Sequence, residues 1–260
     1  MSRSTATARR ALLAAAGVLV AGAALTGCLV EETHDGSPEE RAFPLAGDTL
    51  TVDTDNSRIV LVPDASPAGE VAVTRTFEAR RMTGTTGVEW SMEDDTLRLR
   101  VVCEGIVVEC DARHEIRVPA GVAVTLEGRN GDVAAESFDT ALDLTTRNGD
   151  ITVRNASAPL ELDTRNGRIS ATGVTSPEIV ARTHNGGMTL TLDAAPRRVE
   201  TVADNGGTTV EVPDDGTAYR VATETDHGDV DVDVARDDAA PAVIDARSHN
   251  GGITLRTTSR

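Results

Sequence analysis

Five residues carry side chains suited to hold a divalent metal or to change charge near neutral pH: His184, Asp204, Asp226, His227 and His249. Imidazole and carboxylate together suit Zn²⁺, but these five come from four separate stretches of chain. They meet only if the fold stacks those stretches, and solvated turn residues pairing with their neighbours are the plainer account. Asp229, Asp231 and Asp233 alternate along one stretch, a spacing that suits Ca²⁺. The Gly-Gly-x-Gly-x-Asp repeat that builds calcium sites in parallel β-helices is missing, however, so a solvated face is the better reading. Cys103 and Cys110 are too few for structural zinc; outside the cytoplasm such a close pair forms a disulfide that closes a small loop. Hydrolytic chemistry needs a nucleophile, a base and an orienting group converging on one recess. The acids here are numerous but regularly placed, so no catalytic residue, metal or cofactor is assigned and the chain reads as non-enzymatic.

A repeat would position these residues. Its corners are Asn130-Gly131, Asn148-Gly149, Asn166-Gly167, Asn185-Gly186, Asn205-Gly206, His227-Gly228 and Asn250-Gly251. Six residues before each corner stand Val124, Leu142, Leu160, Ile179, Val199, Val221 and Ile244; four before stand Leu126, Leu144, Leu162, Ala181, Thr201, Thr223 and Ala246. Three residues after it come Val133, Ile151, Ile169, Met188, Thr208, Val230 and Ile253, and five after, Ala135, Val153, Ala171, Leu190, Val210, Val232 and Leu255. Period two on both sides of the corner means two half-buried strands per copy. Self-similarity at this period signals a stacked architecture.

Two geometries use such a corner. Asn-Gly is a strong hairpin signal, so stacked antiparallel β-hairpins are the alternative. An elongated parallel β-solenoid with two strands per coil of about 18–23 residues is preferred, because coils enclose their own core and place like residues roughly 4.8 Å apart. The corner glycines are spaced 18, 18, 19, 20, 22 and 23 residues apart. That growth must fall in the connection opposite the corner, which makes the lengthening edge the expected binding surface.

Upstream of the repeats, Arg3, Arg9 and Arg10 precede a short apolar run, Ala11–Ala24, as in an export signal. Either the general secretion route or the twin-arginine route fits it. Leu25-Thr26-Gly27-Cys28 resembles the bacterial lipobox. The resemblance implies cleavage before Cys28, diacylglyceryl attachment to its sulfur, and an extracytoplasmic protein held by lipid on the outer face of the cell membrane. Residues 29–42 are polar and acidic and read as a flexible tether. Residues 43–121 read as a degenerate, disulfide-clipped cap continuous with the seven-repeat body at 122–260. Within the cap, Leu50, Val52, Thr54, Asn56, Ser57, Ile59 and Leu61 fit the repeat with Ser in the Gly slot, and Val88 to Leu99 fit it loosely.

The formal net charge is −17. That excludes nucleic acid as a partner, which needs basic surface, and favours cationic peptides or divalent ions, although acidity is also a solubility device. All 25 basic residues are Arg.

The corners Arg129-Asn130-Gly131-Asp132-Val133 and Arg147-Asn148-Gly149-Asp150-Ile151, with Ile116-Arg117-Val118-Pro119-Ala120-Gly121 before them, resemble a bacterial β-strand-repeat family. That family carries the label "adhesin" and is designated domain of unknown function 4097. The resemblance implies a β-solenoid on the cell envelope and supplies no ligand. The expected function is therefore an adhesin-like binding or scaffold module whose partner is an envelope protein, a cationic peptide or a glycan. An envelope-stress sensor and a cell-wall polysaccharide enzyme are the alternatives.

Overall fold

The computed structural model describes residues 32–64 and 69–258. The expected export signal, Cys28 and the first tether residues lie outside the described residues. Among the described residues the chain forms twenty strands and no helix. The strands run β1 (Glu32–Asp35), β2 (Glu39–Pro44), β3 (Thr49–Asn56), β4 (Arg58–Asp64), β5 (Glu70–Glu93) and β6 (Thr96–Pro119). Then come seven pairs: β7 (Ala123–Asn130) and β8 (Val133–Glu136), β9 (Leu142–Asn148) and β10 (Ile151–Arg154), β11 (Leu160–Asn166) and β12 (Ile169–Val174), and β13 (Glu178–Asn185) and β14 (Met188–Leu192). The last are β15 (Arg198–Asn205) and β16 (Thr208–Pro213), β17 (Arg220–His227) and β18 (Val230–Asp233), and β19 (Val243–Asn250) and β20 (Ile253–Thr258).

Each pair is one coil. The strands before the corner pair in parallel with their counterparts in neighbouring coils, as Leu144 with Leu162, and the strands after it do the same, as Ile151 with Ile169. Two parallel sheets therefore face each other across a narrow core, and the hairpin alternative fails because corner-flanking strands do not pair with one another. Small aliphatics suit so thin an interior: Leu126, Leu144, Leu162 and Ala181 from one sheet and Val153, Ala171 and Leu190 from the other have no exposed surface. Burying each Val or Leu contributes about 1.5–3 kcal/mol. A single buried apolar cluster runs from Phe43 to Leu255, so the cap and the coils share one core.

Three expectations need correction. First, a solenoid read from the sequence lays each coil on the one before it, but coil order departs from chain order at the C-terminal end. β19 lies between β15 and β17, and β20 lies between β16 and β18. The last coil is thus inserted beneath the penultimate one. Core quality accounts for this: Ile244, Ala246, Ile253 and Leu255 are fully buried, whereas Val221, Thr223 and Val232 of the end coil stay half-exposed and Val230 is exposed. Arg256 fixes the inserted coil further, donating from Nε to Glu211 Oε1 at 2.8 Å.

Second, Val88 to Leu99 is not a coil. β5 and β6 form a long antiparallel hairpin that turns at Asp94-Asp95, both at positive φ, as a two-residue hairpin turn requires. The Asp95 carboxylate accepts the Ala46 and Gly47 amides at 2.7 and 2.9 Å. The start of β6 pairs in parallel with β3, and its end pairs with β4. Between those ends a two-stranded ribbon leaves the stack in place of a corner. Third, the expected tether from 29 to 42 is largely strand: β1 and β2 pair antiparallel with β5. The outer edge of β5 would otherwise present unpaired amides and carbonyls, and this segment pairs with them.

The asparagine edge as candidate functional site

The corners align into one edge because parallel pairing in register puts Asn on Asn. Side-chain amides donate Nδ2 to the Oδ1 of the coil before: Asn130 to Asn56 at 2.6 Å, Asn148 to Asn130 at 2.7 Å, and Asn166 to Asn148 at 2.8 Å. The chain of bonds continues from Asn185 to Asn166 at 2.7 Å, from Asn205 to Asn185 at 3.0 Å, and from Asn250 to Asn205 at 3.0 Å. His227 occupies the Asn slot on the end coil, and its carbonyl accepts the Gly251 amide at 2.8 Å. From Asn130 onward, glycine follows each Asn of the ladder because the backbones touch. A Cβ on Gly131, at φ +124°, would lie 2.1 Å from the Ser57 carbonyl oxygen, and one on Gly149 equally close to that of Gly131.

One residue before the Asn column, the spatial order is Asp55, Arg129, Arg147, Arg165, His184, Asp204, His249, Asp226. Inserting the last coil turns the chain order His-Asp-Asp-His into an alternation, so Asp204 and Asp226 are not neighbours. His184 Nδ1 pairs with Asp204 Oδ2, and His249 Nδ1 meets Asp226 Oδ2 at 2.5 Å. The His227 and His249 rings lie 6.0 Å apart, edge to face. The five residues singled out for metal therefore form two exposed pairs and a ring contact. Among the described residues, no three His, Cys, Asp or Glu side chains come together as a metal site.

Arg129, Arg147 and Arg165 stand beside Asp132 and Asp150 in the sequence, a placement that suggests surface ion pairs, yet Asp132 lies 3.9 Å from Arg58. Asp132 Oδ1 accepts the Asp150 amide at 3.0 Å, and Asp150 Oδ1 accepts the Arg168 amide at 2.7 Å. These carboxylates satisfy the backbone of the next coil. Arg129, Arg147 and Arg165 are exposed and make no ion pair among the described residues, so three arginines leave one face from backbone positions about 4.8 Å apart.

The opposite edge is closed by its own turns. Phe138, Ala156, Val174 and Tyr219 plug it from inside. Thr140 Oγ1 donates to the Val122 carbonyl at 2.7 Å and Ser176 Oγ donates to that of Ala158.

The profile of the Toastrack DUF4097 family matches residues 122–256. The chain belongs to this family. Among solved structures, the Toastrack chain is similar to a Bacteroides fragilis protein described as a "putative adhesin", at 11% identity and a TM-score of 0.52, over 85% of this chain and 97% of that one. It is also similar to two Parabacteroides distasonis proteins. One, described as a "putative lipid binding protein", has 10% identity and a TM-score of 0.43, over 87% of this chain and 98% of that one. The other, a "putative adhesin", has 12% identity and a TM-score of 0.38, over 85% and 98%. At such identities the first likeness is one of fold. No curated protein matches the Toastrack chain.

One polar pair of this Toastrack chain was missed by motif reading. Ser57, in the Gly slot of the first coil, donates its hydroxyl to the Ala112 carbonyl at 3.1 Å and meets His114 Nδ1 at 2.6 Å. His114 is fully buried, and its Nε2 has no partner. Burial, and secondarily the Arg75 charge, push its pKa down to about 4. Both groups are buried, and the pair ties the first corner to β6. Alternation through Ala112, His114, Ile116 and Val118 marked His114 as inward-facing. The disulfide joins Cys103 to Cys110 within β6, on the ribbon that β6 forms with β5.

Proposed function

We propose that this Toastrack protein is a non-enzymatic, adhesin-like binding module, held outside the cytoplasm by a lipid on Cys28, whose asparagine edge is its contact surface. The observation that carries the reading is the row Arg129, Arg147 and Arg165, aligned beside the amide ladder with no ion pair among the described residues. Guanidinium groups bind carboxylate and phosphate in bidentate fashion. A row at fixed spacing on a stiff parallel stack suits a linear envelope polymer bearing repeated acidic groups and hydroxyls. The description of the Bacteroides fragilis neighbour as a "putative adhesin" agrees with a binding role, and the lipobox-like Leu25–Cys28 supports the anchor.

A second reading, capture of cationic peptides as in an envelope-stress sensor, is favoured by the outer face of the first sheet. There burial raises the Asp143 pKa, with Glu161, Glu127 and Asp163 adding repulsion; burial likewise raises that of Asp163, against the pull of Arg182. A cation would relieve that crowding. Binding of the protein to immobilised acidic glycan and to a cationic peptide, each at low and high salt, separates the two. The edge reading expects glycan retention that falls about tenfold or more when Arg129, Arg147 and Arg165 are all changed to Gln. Unchanged glycan retention with saturable peptide binding would hand the function to the acidic face. Cys28→Ser should move the protein from the membrane fraction to the medium.

A further inference from the structure

Among the described residues, four large apolar side chains are exposed: Met82, Ile106, Val108 and Val230. Three of them sit together on the ribbon that leaves the stack, where Thr83 pairs with Ile106 and Arg81 with Val107. This ribbon is folded over on itself. Seven residues of straight strand span about 23 Å, yet the Cα atoms of Cys103 and Cys110 are 6.5 Å apart. Facing glycines make the fold: Gly84 and Gly105 pair at φ +103° and +101°, and a Cβ on Gly84 would fall 1.8 Å from the Glu104 carbonyl oxygen. A covalent clip and a glycine pair thus hold an apolar tip out in solvent, where it contributes nothing to the core.

The chain also enters the fold at this tip. β1 pairs Glu32 with Arg81, the residue before Met82. Cys28 is four residues upstream, so a lipid there is tethered within about 14 Å of the end of β1.

We propose that the folded tip is a membrane foot: Met82, Ile106 and Val108 enter the headgroup boundary of the bilayer beside the lipid on Cys28. This rests on the anchor reading given above. The bilayer is the occupant because the tether keeps the tip within reach of it at all times, a local concentration no free partner matches. The tip carries Glu104, Glu109 and Asp111 against Arg80 and Arg81, with no basic cluster, so the contact is apolar and indifferent to salt. Its consequence is orientation: the two acyl chains anchor the protein, and the foot fixes which way the coil stack stands.

The test imposes the anchor chemically, so that it does not depend on lipidation in the cell. The chain from Cys28 onward, with Cys103 and Cys110 in their disulfide, has Cys28 as its free thiol and couples to a maleimide phospholipid in neutral phosphatidylcholine vesicles. An Ile106→Trp reporter, read above the Trp90 background of the unsubstituted chain, should be quenched by about half by lipids brominated near the headgroup, at low and high salt alike. An Arg220→Trp reporter on the end coil should be untouched. Introducing Ile106→Asp and Val108→Asp should abolish quenching of a Met82→Trp reporter while leaving the melting temperature unchanged, because those side chains are exposed. No quenching at position 106, equal quenching at 220, or a tip signal that appears on raising protein concentration without vesicles would overturn the foot; the last would point to a second copy of the chain. Cell fractionation of Cys28→Ser judges the anchor separately, and its failure would leave a positive vesicle result standing.

Discussion

Buried His114 couples the stability of the fold to pH. The imidazole is neutral in the folded chain, with a pKa pushed down to about 4 by burial, and ordinary once unfolded. Between about pH 6.5 and 4 the unfolded chain therefore holds a proton that the folded chain lacks, and stability falls with pH by up to roughly 3 kcal/mol across that window. Urea midpoints measured from pH 7 to 4 should show this slope, and His114→Gln should flatten it; an unchanged slope would put the acid sensitivity elsewhere. The corner is as exacting. Gly149→Ala drives a Cβ to 2.1 Å from the Gly131 carbonyl oxygen, and should cost more than about 3 kcal/mol. Asn166→Ala removes two ladder bonds at an exposed edge, where water replaces them, and should cost about 1–2 kcal/mol. Comparable losses for the two in thermal unfolding would deny the close approach of backbones.

At the scale of elements, the inserted coil makes the most specific demand. Among the described strands β17 and β18 pair only with β19 and β20, so a chain ending at Ala242 leaves them without those neighbours. Hydrogen exchange of that truncation should show lost protection over 220–233 and retained protection over 123–192. In the intact chain, Thr209→Cys with Thr254→Cys should oxidise to a cross-link, since those residues are register partners, whereas Thr209→Cys with Asp231→Cys should not. The strands were legible in the sequence because period two on either side of each corner is local information. Their order was not, because every copy presents the same columns, and any rung could lie on any other. What breaks that degeneracy is finer: the better apolar set in Ile244, Ile253 and Leu255, and the separation of Asp204 from Asp226. The ribbon was illegible for a related reason, since Val88 to Leu99 alternates as a coil strand does and only its antiparallel partner reveals the hairpin. The Asn edge was legible as a column, while the freedom of its three arginines depended on which groups Asp132 and Asp150 accept.

Across the whole molecule, both ends of the stack need protection, because a parallel sheet ends in open backbone groups. At one end β5, with β1 and β2 outside it, provides cover. At the other the end coil carries Glu224, Asp226, Asp229, Asp231 and Asp233, all exposed. Like charges there would oppose two stacks joining end to end, which fits the more acidic coil standing outermost although it comes earlier in the chain. Changing Asp229, Asp231 and Asp233 to Asn should produce concentration-dependent association in light scattering, and a variant that stays monomeric would show that the acids are only a solubility device.

The central claim is that the registered asparagine corners, with their arginine row, are the surface that meets the envelope. Hydrogen exchange of the vesicle-coupled protein with and without an acidic envelope glycan tests it most directly. The account predicts added protection confined to residues flanking Asn130, Asn148 and Asn166. Protection at the opposite connections, residues 193–197, 214–219 and 234–242, with the corners unchanged, would contradict it.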